Sequence, residues 1–497
     1  MKKIIISIMV IGFLLTNTLF SLGTGEISNK ESDGDTSYEG YTLISDIGKG
    51  VARLIDMAGK EINSWKCNFP SSIFYRTYPF PAKMLKDGEV ICGILPNIVV
   101  RTPSHASSGN SNLVQYNWNY WKINFNIIHK NVLWNFNDWD NLGIFRRTAR
   151  QHHDFQREGN PVGYYAPGQD FVPNGKTLIL ANKGLENDSI REDFVFTDDV
   201  IYEVNFDGEL TGFTWYATDH FDELGFDEAA KKGIRNHTGC KIPNVPWSSK
   251  IGLISFNEGN WLHINSVSEL GKNKWYDSDP EKYWYFHPKN LIIDSRHANF
   301  IAIISRENGS IVWRVGPDYS SDTVEGQKIG QIIGPHNAHM IPYGLPGNGS
   351  ILVFDNGGAA GYGEYGCPNK FRNYSRVIQF NPITKEIEWE YSNIKSEKVD
   401  EVFLHYWKNI TSGEDHHFFS PYVSSAQRLP NGNTLITEGV RNRVFEVTPN
   451  KNIVWDYTDL KDGIFERYNS QFYRAYRIPP EWVPGNPSGY PLWENNN

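Results

Sequence analysis

The chain has 497 residues and a formal net charge of −9, with no clustered run of Lys or Arg. The basic footprint that a nucleic acid requires is therefore missing, and nucleic acid is excluded as a partner. Aromatic residues make up 14% of the sequence, with 16 Trp and 26 Tyr, and Gly (44) and Pro (26) are abundant, a composition suited to many short strands joined by tight turns.

The N-terminus reads Lys2-Lys3, an apolar run from Ile4 to Leu15, then small and polar residues to Gly23. This is the order of a secretory leader, and its apolar run falls short of the roughly 20 residues that span a bilayer. Residues 1–23 are read as a signal peptide and 24–37 as a flexible segment. The mature chain is expected to be exported to the periplasm or beyond, with no stable membrane insertion once the leader is cleaved.

From residue 38 a single pattern recurs: a strand, a Gly-containing turn, a second strand, another turn, and a strand ending in Trp. The two C-terminal copies show it best. One runs Leu429-Pro-Asn431-Gly432-Asn-Thr-Leu-Ile436, Arg443–Val447 and Asn452-Ile-Val-Trp455; the other runs Gly347-Asn348-Gly349-Ser-Ile-Leu-Val-Phe354, Arg376–Phe380 and Glu386-Ile-Glu-Trp389. Apolar and polar residues alternate within them, as in half-buried strands. Weaker copies end at Trp65, Trp134, Trp215 and Trp313. Repeats of this size built only from strands predict an all-β, six-bladed β-propeller over 38–466 with long inter-strand insertions, because one four-stranded sheet buries both faces only when neighbours pack against it. The one helical stretch predicted is Glu223–Lys232. The Tyr-, Pro- and Gly-rich segment 467–497 is expected to pack on the propeller or to supply a closing strand.

Cys67, Cys92, Cys240 and Cys367 form an even set in a chain read as exported, which predicts one or two disulfides. Three pairings are open. Cys67 with Cys92 is the simplest, since both fall at strand ends in neighbouring repeats. No CxxC occurs, and neither a metal nor a cofactor is expected.

His residues gather where the chain runs into the first strand of a repeat: His152-His153-Asp154, His263-Ile-Asn265-Ser266, Pro335-His336-Asn337-Ala338-His339 and His416-His417. A propeller directs those positions toward its central channel, where ligand sites form. Imidazoles clustered there suit transfer of a charged group, as nucleophile or acid/base. His153 with Asp154 is a candidate orienting pair; a purely structural role is its alternative.

The ordered set His263-x-Asn-Ser, His336-Asn-Ala, Asp355-Asn356-Gly357, Ser375-Arg376-Val and Ser425-Ala-Gln-Arg-Leu-Pro-Asn-Gly-Asn-Thr-Leu resembles bacterial arylsulfotransferases, over roughly residues 145–460. His-His-Asp at 152–154 is similar to a divergent subgroup. The resemblance implies a periplasmic propeller that moves a sulfuryl group from an aryl sulfate to a phenol without a nucleotide donor, through a sulfohistidine. It implies that His263 and His336 hold sulfonyl oxygens or move protons, and that the nucleophile is His416 or His417. Asn265, Asn337, His339 and Asn356, in the same motifs, are expected to contact substrate. The family's Arg directly follows Asp-Asn-Gly, where this chain has Gly358-Ala-Ala-Gly361; Arg376 or Arg372 is expected to replace it. The competing reading is a non-catalytic exported propeller that binds a protein or glycan at its channel mouth.

Overall fold

The computed structural model describes residues 26–28, 36–66, 80–94, 112–119, 132–141, 147–236, 239–240, 259–393, 418–459 and 471–493. Six antiparallel sheets surround one axis as a six-bladed propeller. Blade 2 consists of Ala82–Met84, Val90–Ile94, Asn112–Tyr116 and Val132–Phe136, and blade 3 of Gln151–Arg157, Thr177–Asn187, Arg191–Val204 and Leu210–Tyr216. Blade 4 is built from Ile264–Glu269, Leu291–Ser295, Phe300–Ile304 and Ile311–Val315, and blade 5 from His336–Met340, Ile351–Asp355, Arg376–Phe380 and Ile387–Tyr391. Blade 6 holds Ser425–Arg428, Thr434–Glu438, Arg443–Val447 and Ile453–Thr458.

Blade 1 closes the ring. Its outer three strands, Tyr41–Asp46, Val51–Ile55 and Glu61–Lys66, come from the start of the propeller, while its innermost strand is Phe472–Ile478 from the end of the chain. The C-terminal segment thus supplies a closing strand. Gly439 permits the close approach this needs, since a Cβ there would lie 2.2 Å from the Phe472 carbonyl oxygen. Glu26–Ser28, within the segment read as flexible, pairs with Asp456–Thr458 as a fifth strand of blade 6.

The repeated Trp has a physical role. Each indole donates its N–H to a backbone carbonyl in the outer turn of the following blade: Trp65 to Asn117, Trp134 to Phe206, Trp215 to Gly309, Trp313 to Pro382, Trp389 to Pro449 and Trp455 to Met57. These bonds run from 2.8 to 3.1 Å and pass from blade 6 back to blade 1. Trp65, Trp134, Trp215 and Trp455 are buried between blades, and Trp313 and Trp389 are partly buried there. Trp455→Phe removes the bond that joins blade 6 to blade 1 while keeping an aromatic ring. The expected cost is about 1–3 kcal/mol in urea unfolding, and a change within error would show that the ring of bonds is dispensable.

The longest helix among the described residues is Glu228–Asn236, shifted a few residues C-terminal to the predicted stretch. Short helices also occur at Lys274–Ser278 and Val324–Lys328. No described helix is long and apolar enough to cross a membrane. A disulfide joins Cys240, beyond the long helix, to Cys367 in the hairpin inserted in blade 5. The only pairing compatible with it is Cys67 with Cys92, and Cys67 lies outside the described residues.

Candidate active site

Three inner strands begin with the same distortion. His153, His263 and Asn337 have φ of 53°, 54° and 57°, and the register slips beside each of them. Val423, leading into the inner strand of blade 6, has φ of 55°. A left-handed residue interrupts the alternation of a strand and re-aims the side chains around it. Four successive blades carry such a kink at one end of the channel, which is where strained backbone gathers when a site must be shaped.

The kinks bring His153, His263, His297 and His336 together. The His153 and His263 rings are 4.5 Å apart edge to face, and His263 stacks on His297 at 4.7 Å. His152 packs beside His153, with their Nδ1 atoms 2.8 Å apart, and its Nε2 lies 3.0 Å from Asp199 Oδ1. The loop after the second strand of blade 4 adds Arg296, which is buried and close enough to depress the basicity of all four clustered imidazoles. An apolar wall stands alongside: Phe80, Tyr422, Val423 and Tyr473 belong to one cluster, and Phe80 lies 5.9 Å from His153.

Hydrogen bonds assign protons. His297 Nδ1–H donates to the Asn260 carbonyl at 3.0 Å. His336 Nδ1–H donates to Asn356 Oδ1 at 2.7 Å, and its Nε2 accepts the Val423 N–H at 3.2 Å. The Asn260 amide nitrogen lies 2.8 Å from His263 Nδ1, which places the His263 proton on Nε2. Burial, reinforced by Arg296, pushes His297 and His336 down to about 3. Burial also drives His153 and His263 well below the ordinary imidazole value, helped by neighbouring imidazoles and Arg296. The cluster is neutral and keeps its lone pairs at neutral pH.

This neutrality has a cost in acid. Between about 3 and 6.5 the unfolded chain binds protons that His297 and His336 refuse in the native state, so stability falls as pH drops through that window. Asp198 and Asp294, pushed up to about 7 by burial, oppose this by holding protons when folded, but the depressed imidazoles outnumber them. Urea unfolding at pH 7 and pH 5 is expected to show lower stability at pH 5. His297→Gln is expected to narrow that gap by about 2 kcal/mol; an unchanged gap would mean that His297 is not held neutral.

The remaining candidates are distributed as follows. Asn356 holds His336 and donates to the Ser420 and Val423 carbonyls, and so orients the imidazole. Asn337 accepts the Ala426 N–H, and Asn265 donates to the Pro335 carbonyl, which ties neighbouring blades together. His339 lies in a separate buried group, with Nε2 2.7 Å from the Tyr164 hydroxyl. Arg372 and Arg376 both grip Asp355, each at 2.6 Å. Asp154 faces Lys83 and Arg474 instead of either histidine of its motif, at 2.8 and 2.9 Å. His416 and His417 lie outside the described residues.

Sequence reasoning missed Arg296, His297, Asn260, Asp199 and Tyr473. Arg296-His297 was the detectable signal, since it follows Asp294 at the end of a second strand, as Asn356-Gly357 follows Asp355 one blade later. Among the described residues no group of three or more His, Cys, Asp or Glu is arranged to hold a metal ion.

A model of the family described as Arylsulfotransferase (ASST) matches residues 168–461. No curated protein matches the chain. Similar solved structures include a protein of unknown function from Bacteroides caccae, 12% identical over 89% of this chain and 99% of that one, with a TM-score of 0.40. Apo AztD from Citrobacter koseri is 10% identical over 88% and 98%, with a TM-score of 0.34. Virginiamycin B lyase from Staphylococcus aureus is 12% identical over 89% and 91%, with a TM-score of 0.33.

Proposed function

The chain belongs to the arylsulfotransferase family, and from that membership we propose that its channel-mouth cluster moves a sulfuryl group from an aryl sulfate to a phenol through a sulfohistidine. The observation that carries this reading is the neutral imidazole cluster of His153, His263, His297 and His336 beside the buried Arg296. A neutral imidazole has the lone pair that attack on sulfur requires, and a buried fixed cation stabilises the charge on sulfonyl oxygens. His263 Nε2–H serves as a further donor to those oxygens. Phe80, Tyr422 and Tyr473 offer an aromatic wall for the ring of donor or acceptor.

Arg296 also supplies what the segment after Asp355-Asn356-Gly357 lacks. Gly358–Ala360 there forms one strand of an inserted hairpin, and Arg372 and Arg376 are engaged by Asp355. The cation comes instead from blade 4. Export to the periplasm accompanies this reading: the Cys240–Cys367 disulfide suits an oxidising compartment, and the leader that would direct export lies outside the described residues.

The test is release of a coloured phenol from a chromogenic aryl sulfate by the purified mature protein, with and without added phenol. Phenol-dependent turnover that is lost in His263→Ala and His336→Ala is the expected result. Folded wild-type protein that releases no phenol, but binds a protein or glycan at the channel mouth, would replace this reading with the non-catalytic one.

A further inference from the structure

Gly358-Ala359-Ala360-Gly361, which follows Asp355-Asn356-Gly357, carries no cation, but its contacts reach the loop that does. Residues 260–263 strap Arg296 and His297 on one side. The His263 carbonyl accepts the Arg296 N–H at 3.1 Å, the Leu262 carbonyl accepts the His297 N–H at 3.0 Å, and the Asn260 carbonyl accepts the His297 Nδ1–H. On the other side stands the inserted hairpin of Gly358–Ala360 and Lys370–Arg372. Its Gly361 N–H donates to the His297 carbonyl at 3.0 Å, and Cys367 Sγ lies 3.7 Å from the same oxygen. Gly361 has φ of 84°, and a Cβ there would lie 2.5 Å from the Asn299 amide nitrogen, so a larger residue would push the hairpin away. A Cβ on Gly334 would lie 3.7 Å from Arg296 Cγ and 3.9 Å from Ala360 Cβ, so the Arg296 stem and the hairpin flank the same glycine.

Two further links fasten the hairpin. The Cys240–Cys367 disulfide ties it to the chain beyond the helix Glu228–Asn236, and both cysteines are buried. Tyr362, also buried, donates its hydroxyl proton to the Trp261 carbonyl at 2.8 Å and accepts the Gly239 N–H at 3.2 Å. One hydroxyl thus joins the hairpin, the segment leading to Cys240 and the strap that carries His263. The ion pair of Lys232 with Glu364 at the hairpin tip, 2.8 Å long and exposed, adds little to this.

Building on the sulfuryl-transfer reading, we infer that the hairpin of residues 358–372, fastened by Tyr362 and the Cys240–Cys367 disulfide, is the positioning element that holds Arg296 against the imidazole cluster. Where a cation is expected, the chain has instead a support for a cation from the preceding blade. A guanidinium on a long stem has many rotamers, and a preorganised charge needs them reduced before substrate arrives. Gripping the backbone at His297 from both sides fixes the point from which the Arg296 stem starts. Tyr362 and the disulfide act on the reaction through Arg296, and neither touches the reacting atoms.

The experiment compares the mature wild type with Tyr362→Phe and with the double variant Cys240→Ser, Cys367→Ser. Steady-state kcat and KM for sulfuryl transfer are measured for each, alone and combined with Arg296→Gln. NMR of isotope-labelled histidine follows protonation of His297, whose resonance is identified by its loss in His297→Gln. Each variant is expected to lower kcat about 10²-fold with KM little changed, as a small misplacement of a working group does. On Arg296→Gln the same changes are expected to cost far less, because their target is already gone. Burial and Arg296 hold His297 down to about 3. Among the described residues, Arg296 acts on it electrostatically and the His263 ring stacks on it. Loosening the hairpin is expected to raise the His297 titration by at least about one pH unit. Equal losses with and without Arg296, or an unmoved His297 titration, overturn the assignment and make the hairpin a general support of the fold. Full activity in Tyr362→Phe and in the disulfide-free protein does the same. If the disulfide-free protein does not fold, Tyr362→Phe, which removes a single hydroxyl, decides. Folded wild type that transfers no sulfuryl group overturns the reading of the reaction, and the His297 titration then decides the positioning.

Discussion

Asp154→Asn is expected to destabilise the protein by about 3–5 kcal/mol or more, because it strands two buried cations. Lys83 from blade 2, Arg474 from blade 1 and Asp154 from blade 3 meet in the channel below the histidine cluster, each at most 3% exposed. Asp154 also accepts the Phe155 N–H and the Val267 N–H, while Arg474 donates to the Asn265 carbonyl at 2.7 Å, which brings blade 4 into the same network. Burial alone would raise the Asp154 carboxyl, but Arg474 and Lys83 outweigh it and hold it below the usual carboxylate range. The two positive charges therefore depend on this single negative one. Adding Lys83→Met to Asp154→Asn removes one stranded cation, and the double variant is expected to be more stable than Asp154→Asn alone. If the single variant unfolds at the wild-type urea concentration, the triad does not hold these blades together.

Arg296→Gln is expected to reduce kcat/KM for sulfuryl transfer by about 10²–10³-fold, the usual loss when one preorganised charge-stabilising group is removed from a buried site. A second effect distinguishes this from mere misfolding. Arg296 helps to depress His153, His263, His297 and His336, so its removal lets their basicity rise toward the ordinary imidazole value. The acid limb of the pH–rate profile is then expected to move to higher pH in the variant. Steady-state kinetics between pH 3 and pH 8 measure both effects. A slow variant with an unshifted acid limb would place Arg296 away from the imidazoles, and a fully active one would remove it from the site.

What was legible in the sequence followed from periodicity. The recurring Trp at strand ends marks the blades because each indole must reach a backbone carbonyl oxygen in the following blade, a constraint that recurs with every repeat. His153, His263 and His336 were legible for a similar reason, since each lies where the chain runs into an inner strand, and the propeller turns those positions to one axis. The Cys240–Cys367 bridge was less so, because the two residues lie 127 positions apart and only the folded blades bring their Cα atoms to 4.5 Å.

Tertiary structure alone decided which charges reach the site. Arg372 and Arg376 follow the expected motif closely in the chain, yet Asp355 captures both, while Arg296 arrives from the preceding blade. Asp154, adjacent to His153 in sequence, meets Lys83 and Arg474 from neighbouring blades, beyond the left-handed kink at His153. The carboxylate that meets the histidine pair is Asp199, from a strand more than forty residues away. By itself the sequence determined the number of blades and where the imidazoles converge, since both repeat with the chain. The pairing of acids and bases depends on which side chains from different blades meet in one buried volume, and only the closed ring settles that.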